Sequence, residues 1–198
     1  PVARDVDGAA VRCTGAECPA QLLRNLTHFA SRNAMDIDGL GPAVIQQLVD
    51  SGLVRTAADL YSLRPEQIAE LDRMGQKSAR NAVEAIARSR EDDLWRLIFA
   101  LGIRQVGEKA AKVLAARFGS MDALSTATEE ELTAIDDVGP ITAKYIRQWM
   151  DSPQSQDLLA RLKAAGLNMT CKEEMVDRRF AGMTFVLTGA LEKFTRDE

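Results

Sequence analysis

Cysteine and histidine are the residues of this sequence best suited to metal chemistry, and there are only four of them. Cys13 and Cys18 are separated by four residues in "CTGAEC", and Pro19 follows where a helix could begin. The pair resembles half of a four-cysteine zinc site, because a structural zinc ion is normally held by four ligands. On this interpretation the other two ligands lie upstream of Pro1. The alternative is that the two cysteines are unrelated free thiols.

The remaining reactive side chains do not form a recognisable catalytic set. His28 lies within the helical pattern "LLRNLTHFASR" and is expected to be a surface or partly buried residue. Cys171 is isolated and reads as a small hydrophobic residue. The sequence shows no nucleophile–histidine–acid triad and no carboxylates at metal-ligand spacing. It therefore predicts that this chain performs no catalysis by itself.

Charged residues are distributed unevenly along the chain. The net charge is −4, yet residues 72–90 carry five basic residues against two acidic ones, and residues 104–117 carry four against one. Acidic residues concentrate instead at 129–131 and 136–137. Two local basic surfaces are compatible with a polyanionic partner, although ordinary solvated helix faces would produce the same counts.

The composition favours a mostly helical protein. Hydrophobic residues make up 46% of the 198 residues and aromatic residues only 5%, so the core must be built largely from aliphatic side chains. No run of 18 apolar residues and no secretory leader pattern occurs, and we therefore expect a cytoplasmic protein with reduced thiols.

One pattern occurs four times, at intervals of 34, 32 and 32 residues. Each copy has an apolar residue four positions and one position before a glycine, and apolar residues four and seven positions after it. The four aligned glycines are Gly41, Gly75, Gly107 and Gly139. Offsets of +4 and +7 mark one face of a helix that begins at the glycine. Upstream capping signals, such as the capping box Thr128-x-x-Glu131, predict a helix before each glycine as well.

Each copy is thus predicted to be a helix, a tight turn and a second helix. The aligned glycine is expected to permit a positive φ in the turn and a close approach of another backbone. The second helix would present unpaired N–H groups and the positive end of its dipole beside that glycine. Such a site suits an anion, and a regular series of them suits a ligand with regularly spaced phosphates. Four hairpins that merely pack together are the plainer alternative.

The four segments "IDGLGPAVIQQL", "LDRMGQKSARNA", "IRQVGEKAAKVL" and "IDDVGPITAKYI" resemble helix-hairpin-helix motifs. That resemblance implies sequence-independent binding to the DNA backbone across the minor groove. Copies two and three should supply the main contacts, because basic residues flank their glycines. Copy four carries Asp136 and Asp137 and is expected mainly to pair with copy three. The predicted DNA-binding residues are Gly39, Gly41, Arg73, Gly75, Lys77, Ser78, Arg104, Gln105, Gly107, Lys109, Gly139 and Lys144. The segment "GLGPAV" is not a dinucleotide fingerprint, since it lacks a preceding strand and the third glycine.

The two ends complete a recognisable order. We expect the C-terminal half of a zinc finger at 1–21, a helix-hairpin-helix domain at 22–168 and a linker at 169–180. Residues 181–198 contain the short apolar strand "FVL" followed by Thr188-Gly189, similar to the start of a BRCT domain. The predicted fold is therefore mostly α, with four motifs in pseudo-symmetric pairs, a zinc-finger remnant before them and one BRCT-like strand after them.

This succession resembles the C-terminal half of bacterial NAD-dependent DNA ligases. The resemblance implies a monomer that helps to hold nicked double-stranded DNA for sealing in replication and repair. It also implies zinc in the finger, and NAD and a divalent metal in catalytic domains outside this chain. The family's nucleotidyl-transfer lysine begins a Lys-x-Asp-Gly motif, whereas the nearest string here, at 36–39, begins with Asp36. The alternatives are a helix-hairpin-helix module of another repair or recombination protein and a helical protein-interaction domain.

Overall fold

The computed structural model describes residues 2–4, 11–13 and 19–172. Two short strands, β1 (Val2–Arg4) and β2 (Val11–Cys13), pair antiparallel, with Val2 opposite Cys13. No sequence pattern indicated this hairpin. Cys18 and the side chain of Cys13 lie outside the described residues, as do the predicted BRCT-like segment and most of the predicted linker, so the zinc site stays a prediction.

The rest of the described chain is helical, as predicted. Its helices are α1 (Pro19–Ala30), α2 (Pro42–Asp50), α3 (Ala57–Leu60), α4 (Pro65–Ala69), α5 (Gln76–Ser89), α6 (Leu94–Ala100), α7 (Glu108–Phe118), α8 (Met121–Thr126), α9 (Glu129–Thr133), α10 (Pro140–Met150) and α11 (Pro153–Ala164). The predicted helix start at Pro19 and the predicted capping box of α9 are confirmed, and prolines also begin α2, α4 and α10.

The repeat corresponds to four helical hairpins. They are formed by α1 with α2, α4 with α5, α6 with α7, and α9 with α10. We call them hairpins 1 to 4. The residues at +4 and +7 from each aligned glycine are completely buried: Ile45, Leu48, Ala79, Ala82, Ala111, Leu114, Ala143 and Ile146. Alanine at +4 in three of the four hairpins lets the two helices of a hairpin approach each other closely.

Hairpins 1 and 2 pack as one pair, and hairpins 3 and 4 pack as the other. In the first pair, the Gln47 side chain of α2 accepts a hydrogen bond from the Asp72 amide of hairpin 2 at 2.6 Å. In the second, the Arg104 guanidinium of hairpin 3 lies 4.4 Å from the ring centroid of Tyr145 on α10. Asp72 and Arg104 both stand three residues before an aligned glycine, and Gln47 and Tyr145 both stand six residues after one. The equivalence supports the predicted pseudo-symmetric pairing.

The two pairs are joined through α6 and α11. His28 on α1 is partly buried, as expected, and its Nε2 lies 2.8 Å from the Phe99 carbonyl oxygen on α6. At the far end, Arg161 on α11 donates to Asp59 on α3 at 2.6 Å. Leu162 of the same helix is fully buried. A helix from the C-terminal end of the described chain therefore fastens onto the first pair.

Residues beyond α11 also belong to this helical body. The Asn168 amide donates to the Arg90 carbonyl at 2.7 Å, and the Cys171 amide donates to the Gly119 carbonyl at 2.8 Å. Cys171 packs partly buried against the core, in keeping with the expectation of a small hydrophobic residue. Hydrogen bonds to the helical body thus continue past residue 168, the predicted end of the domain. At the other end, α1 begins at Pro19, before the expected boundary at 22.

Candidate nucleic-acid interface

Each hairpin turn is built in the same way. The carbonyl four residues before the aligned glycine accepts a hydrogen bond from the amide one residue before it, at 3.0 to 3.3 Å in all four copies. This bond closes a four-residue turn. The next helix then starts with a bond from the amide at +4 to the carbonyl of the glycine, at 2.9 to 3.0 Å. The turn and the helix start are therefore rigidly connected, and each aligned glycine stands at their junction.

The prediction that the aligned glycine supplies the positive φ of the turn is wrong. These glycines have φ between −94° and −71°, an ordinary extended conformation. The positive φ lies two residues earlier, at Gly39, Arg73, Gln105 and Asp137. The physical reason is the type of turn. The positive φ falls on the third of the four residues alone, as in a type II turn, which requires a positive φ there. Only the first copy places glycine there, and a side chain in this conformation costs about 1–2 kcal/mol.

Neither the backbone conformation of the turn nor packing inside the protein therefore requires glycine at the four aligned positions. Among the described residues, and apart from its neighbours along the chain, a Cβ added at Gly41, Gly75, Gly107 or Gly139 would have no protein atom within 4 Å. Gly39 differs, because a Cβ there would lie 3.2 Å from the Cβ of Ala82 in hairpin 2. The space in front of the four aligned glycines is thus open to solvent, and a side chain there would obstruct only something that approaches from outside.

The helices that start at these glycines are also uncapped. In the part of the chain that the structure describes, no side chain caps the N-termini of α2, α5, α7 and α10. By contrast, side-chain oxygens accept from first-turn amides in α6, α8, α9 and α11. An uncapped start leaves first-turn N–H groups without an intrahelical partner, at the positive end of the helix dipole. Four such starts, each beside an open glycine, can accept anionic oxygens.

All twelve residues predicted to bind DNA are exposed. The structure brings those of hairpins 3 and 4 together. The Lys109 ammonium lies 2.9 Å from the Asp137 carboxylate, and Arg104 stacks on Tyr145. In hairpin 2, Arg73 is 93% exposed and only loosely paired with Asp72 at 3.7 Å. Within the described part of the chain, Lys77 and Lys144 form no hydrogen bond or ion pair.

The sequence interpretation missed Arg80. It stands five residues after Gly75, the position that Lys112 and Lys144 occupy in hairpins 3 and 4. Arg80 is exposed, and among the described residues it forms no ion pair. Lys112, by contrast, pairs with Glu108 at 2.8 Å and lies over the Trp95 ring. Comparing position +5 across the four repeats, where Lys144 had been selected, would have added Arg80.

No helix among the described residues is long and apolar enough to cross a membrane. Nor do the described residues contain a group of three or more histidine, cysteine or acidic side chains placed to hold a metal ion.

Comparison with known proteins agrees with this geometry. Residues 31–88 match the family model described as a SAM-like helix-hairpin-helix tandem, and residues 96–159 match the model described as a helix-hairpin-helix motif. The first match covers the turn and second helix of hairpin 1, without α1, and nearly all of hairpin 2; the second covers hairpins 3 and 4 except the first two residues of α6. The two matched segments thus contain helix-hairpin-helix motifs, in agreement with the helical hairpins of the fold.

Its similarity to whole proteins is more specific. A DNA ligase of Trichlorobacter lovleyi is 54% identical over 197 residues, which is 99% of this chain and 29% of that ligase. A DNA ligase of Carboxydothermus hydrogenoformans is 52% identical over 96% of this chain and 29% of its own length. One of Geobacter sulfurreducens is 49% identical over 97% and 29%. The chain is therefore homologous to a segment of DNA ligases that spans a little under a third of their length.

Proposed function

We propose that this chain is the non-catalytic DNA-binding portion of an NAD-dependent DNA ligase. It holds nicked duplex DNA through sequence-independent phosphate contacts across the minor groove. The observation that carries this proposal is a set of four helix starts without a side-chain cap among the described residues. Each follows a glycine at which an added Cβ would point into open space. Homology to a segment of DNA ligases supports DNA as the anion that these starts receive.

The chemistry of the hairpins favours phosphate over base edges. Backbone amides at a helix N-terminus donate to phosphate oxygens and carry no information about base sequence. A glycine Cα lets the phosphodiester approach these amides without a steric clash. Lys77 and Arg80 in hairpin 2 then add charge-assisted contacts from the same turn and the next. Such an interface binds all duplex sequences alike.

The whole protein would seal nicks in DNA replication and repair. In that account NAD supplies the adenylyl group to catalytic domains outside this chain, and those domains use a divalent metal. Cys13 and Cys18 would hold zinc together with two further ligands in the longer protein. The protein would act as a monomer in the bacterial cytosol, where it associates with the nucleoid.

The direct test is a titration of the chain with nicked duplex DNA at several salt concentrations. We expect an affinity that falls steeply with salt, since bound phosphates release counterions. The double variant Lys77→Glu/Lys109→Glu should bind every sequence about tenfold or more weakly, with a shallower salt dependence. Lys163→Glu is the matched control, because Lys163 lies on α11 and pairs with Asp122; it should bind almost normally.

Two results would contradict the proposal. One is the absence of binding at low salt, which would favour a protein-interaction domain. The other is binding whose affinity does not change with salt. Equal loss of affinity in the double variant and in the Lys163→Glu control would likewise contradict the assigned role of Lys77 and Lys109.

A further inference from the structure

The tips of the four hairpins carry two different chemistries. The first two helical residues behind the aligned glycines are Pro42-Ala43, Gln76-Lys77, Glu108-Lys109 and Pro140-Ile141. Hairpins 2 and 3 thus end in a lysine, and hairpins 1 and 4 end in an apolar pair. The turn geometry is the same in all four, so this difference lies in the side chains and not in the backbone.

Ile141 is the extreme case. It is 66% exposed, and no other large hydrophobic side chain among the described residues is classed as exposed. A single exposed isoleucine is unremarkable on most surfaces. This one occupies the same place as Lys77 and Lys109, directly behind the open glycine of an uncapped helix. It therefore projects from the surface at which the other hairpins would meet DNA.

The surroundings of Ile141 make hairpin 4 a poor phosphate site. Pro140 has no N–H, so the helix start offers one donor fewer than the starts of hairpins 2 and 3. Asp136 is exposed next to the turn. Asp137 is neutralised by Lys109 at 2.9 Å, which removes its repulsion without adding a free positive charge. Lys144 lies one turn further along α10, and the residues at the tip itself are an exposed proline and an exposed isoleucine.

We infer that Ile141, together with Pro140, makes an apolar contact with deoxyribose rings that line the minor groove. The lysine-tipped hairpins meanwhile hold phosphates. Sugar rings present apolar C–H surface along the walls of this groove. Minor-groove proteins are known to use apolar side chains, including isoleucine and proline, as wedges between base steps; the contact inferred here is with the sugars instead. Ala43 with Pro42 would do the same, more weakly, in hairpin 1. The inference rests on the proposed function and adds a role for two hairpins that lack strong phosphate ligands.

Methyl NMR of the whole chain with labelled isoleucine δ1 methyl groups and a short nicked duplex tests the contact directly. We expect the Ile141 methyl signal to shift on binding and to show NOEs to deoxyribose H1′ and H4′ protons. Buried methyl groups, such as that of Ile146 on the same helix, should shift little. An unperturbed Ile141 signal in the complex would overturn the inference.

Affinity measurements separate the apolar contact from electrostatics. Ile141→Gln should weaken binding roughly three- to tenfold, from the loss of apolar burial. The slope of log affinity against log salt should not change, because no charge is altered. Lys77→Gln is the comparison variant, and it should lower both the affinity and the slope.

The failure of the inference is distinguishable from the failure of the proposed function. If the unmodified chain binds DNA in a salt-dependent way but Ile141→Gln binds equally well, the apolar contact is refuted and the function stands. If Ile141→Gln alters self-association instead of DNA affinity, the tip serves a protein contact and the inference is likewise overturned. If the unmodified chain does not bind, it is the proposed function that fails.

Discussion

At the scale of single residues, the ion pair between Lys109 and Asp137 decides how hairpins 3 and 4 share their charge. Asp137 occupies the left-handed position of its turn, with φ 71°. Its carboxylate lies 2.9 Å from the Lys109 ammonium, whose side chain is 80% exposed. An exposed pair of this kind is worth little to stability. Its main consequence is that Lys109 is already paired with Asp137 in the absence of DNA and is therefore less available to a phosphate.

Replacing Asp137 by asparagine should therefore release Lys109 for phosphate. Asparagine tolerates the left-handed conformation, so the turn should persist. We expect DNA affinity at low salt to rise about three- to tenfold and the salt slope to steepen by about one. Fluorescence anisotropy with a labelled nicked duplex would measure both.

The double variant Asp137→Asn/Lys109→Gln identifies the origin of that gain. If the gain comes from Lys109, asparagine at 137 should bring no improvement when the lysine is absent. A gain that persists in the double variant would mean that Asp137 repels a phosphate directly, and that hairpin 4 lies closer to the backbone than its charges suggest.

At the scale of elements, α11 holds the two hairpin pairs together through its contact with α3. Burial alone would raise the pKa of Asp59, but hydrogen bonds from the amides of Arg55 and Thr56 and from Arg161 outweigh it, so the pKa is lowered. The folded protein therefore binds fewer protons at Asp59 than the unfolded chain does. This contribution to stability is present above about pH 4 and is lost as the pH falls through the lowered pKa.

Asp59→Asn should lower the free energy of unfolding at pH 7 by about 1–2 kcal/mol, because it removes a charge-assisted bond between distant segments. Urea denaturation of both proteins from pH 7 to pH 3 would show the difference shrinking as the pH falls. Lys163→Gln on the same helix removes only the exposed pair with Asp122 and should change stability by less than about 0.5 kcal/mol. A difference that is constant with pH would contradict this account of Asp59.

The elements were largely predictable from sequence, and the exceptions have physical causes. Spacings of +4 and +7 identified the buried face of the second helix in each hairpin, because apolar residues on one helical face recur at these spacings. The capping box that begins at Thr128 located α9. The contact of α11 with α3 was not predictable, because Arg161 and Asp59 lie 102 residues apart and no local pattern connects them. The strand pair β1–β2 was missed because strands of three residues carry too little periodicity to detect.

The candidate site was predictable in position but not in backbone detail. The repeat located all four turns, and every residue selected from it is exposed. The handedness of each turn was assigned to the aligned glycine, whereas Arg73, Gln105 and Asp137 adopt the left-handed conformation instead. Sequence favours glycine for such positions, and tertiary packing of the flanking helices overrides that preference here. The pairing of Lys109 with Asp137 was likewise invisible, because it joins two repeats.

At the scale of the whole molecule, the two hairpin pairs form one helical body that presents four similar turns. Alanine at the contact positions brings the helices of a hairpin close together, and α6 and α11 join the pairs. The uncapped starts of four of its helices are a cost to stability that side-chain caps elsewhere in the fold avoid. In our account this cost is retained because the same amides bind DNA.

The most direct test of that claim is the double variant Gly75→Ser/Gly107→Ser. Serine suits the N-cap conformation of both positions and would cap the free amides. We predict that stability stays the same or rises by a few tenths of a kcal/mol, while affinity for nicked duplex DNA falls at least about tenfold. Ser152→Gly is the converse control, because it uncaps α11 and should lower stability slightly without changing DNA affinity. A folded Gly75→Ser/Gly107→Ser variant that binds DNA as tightly as the unmodified chain would contradict the account.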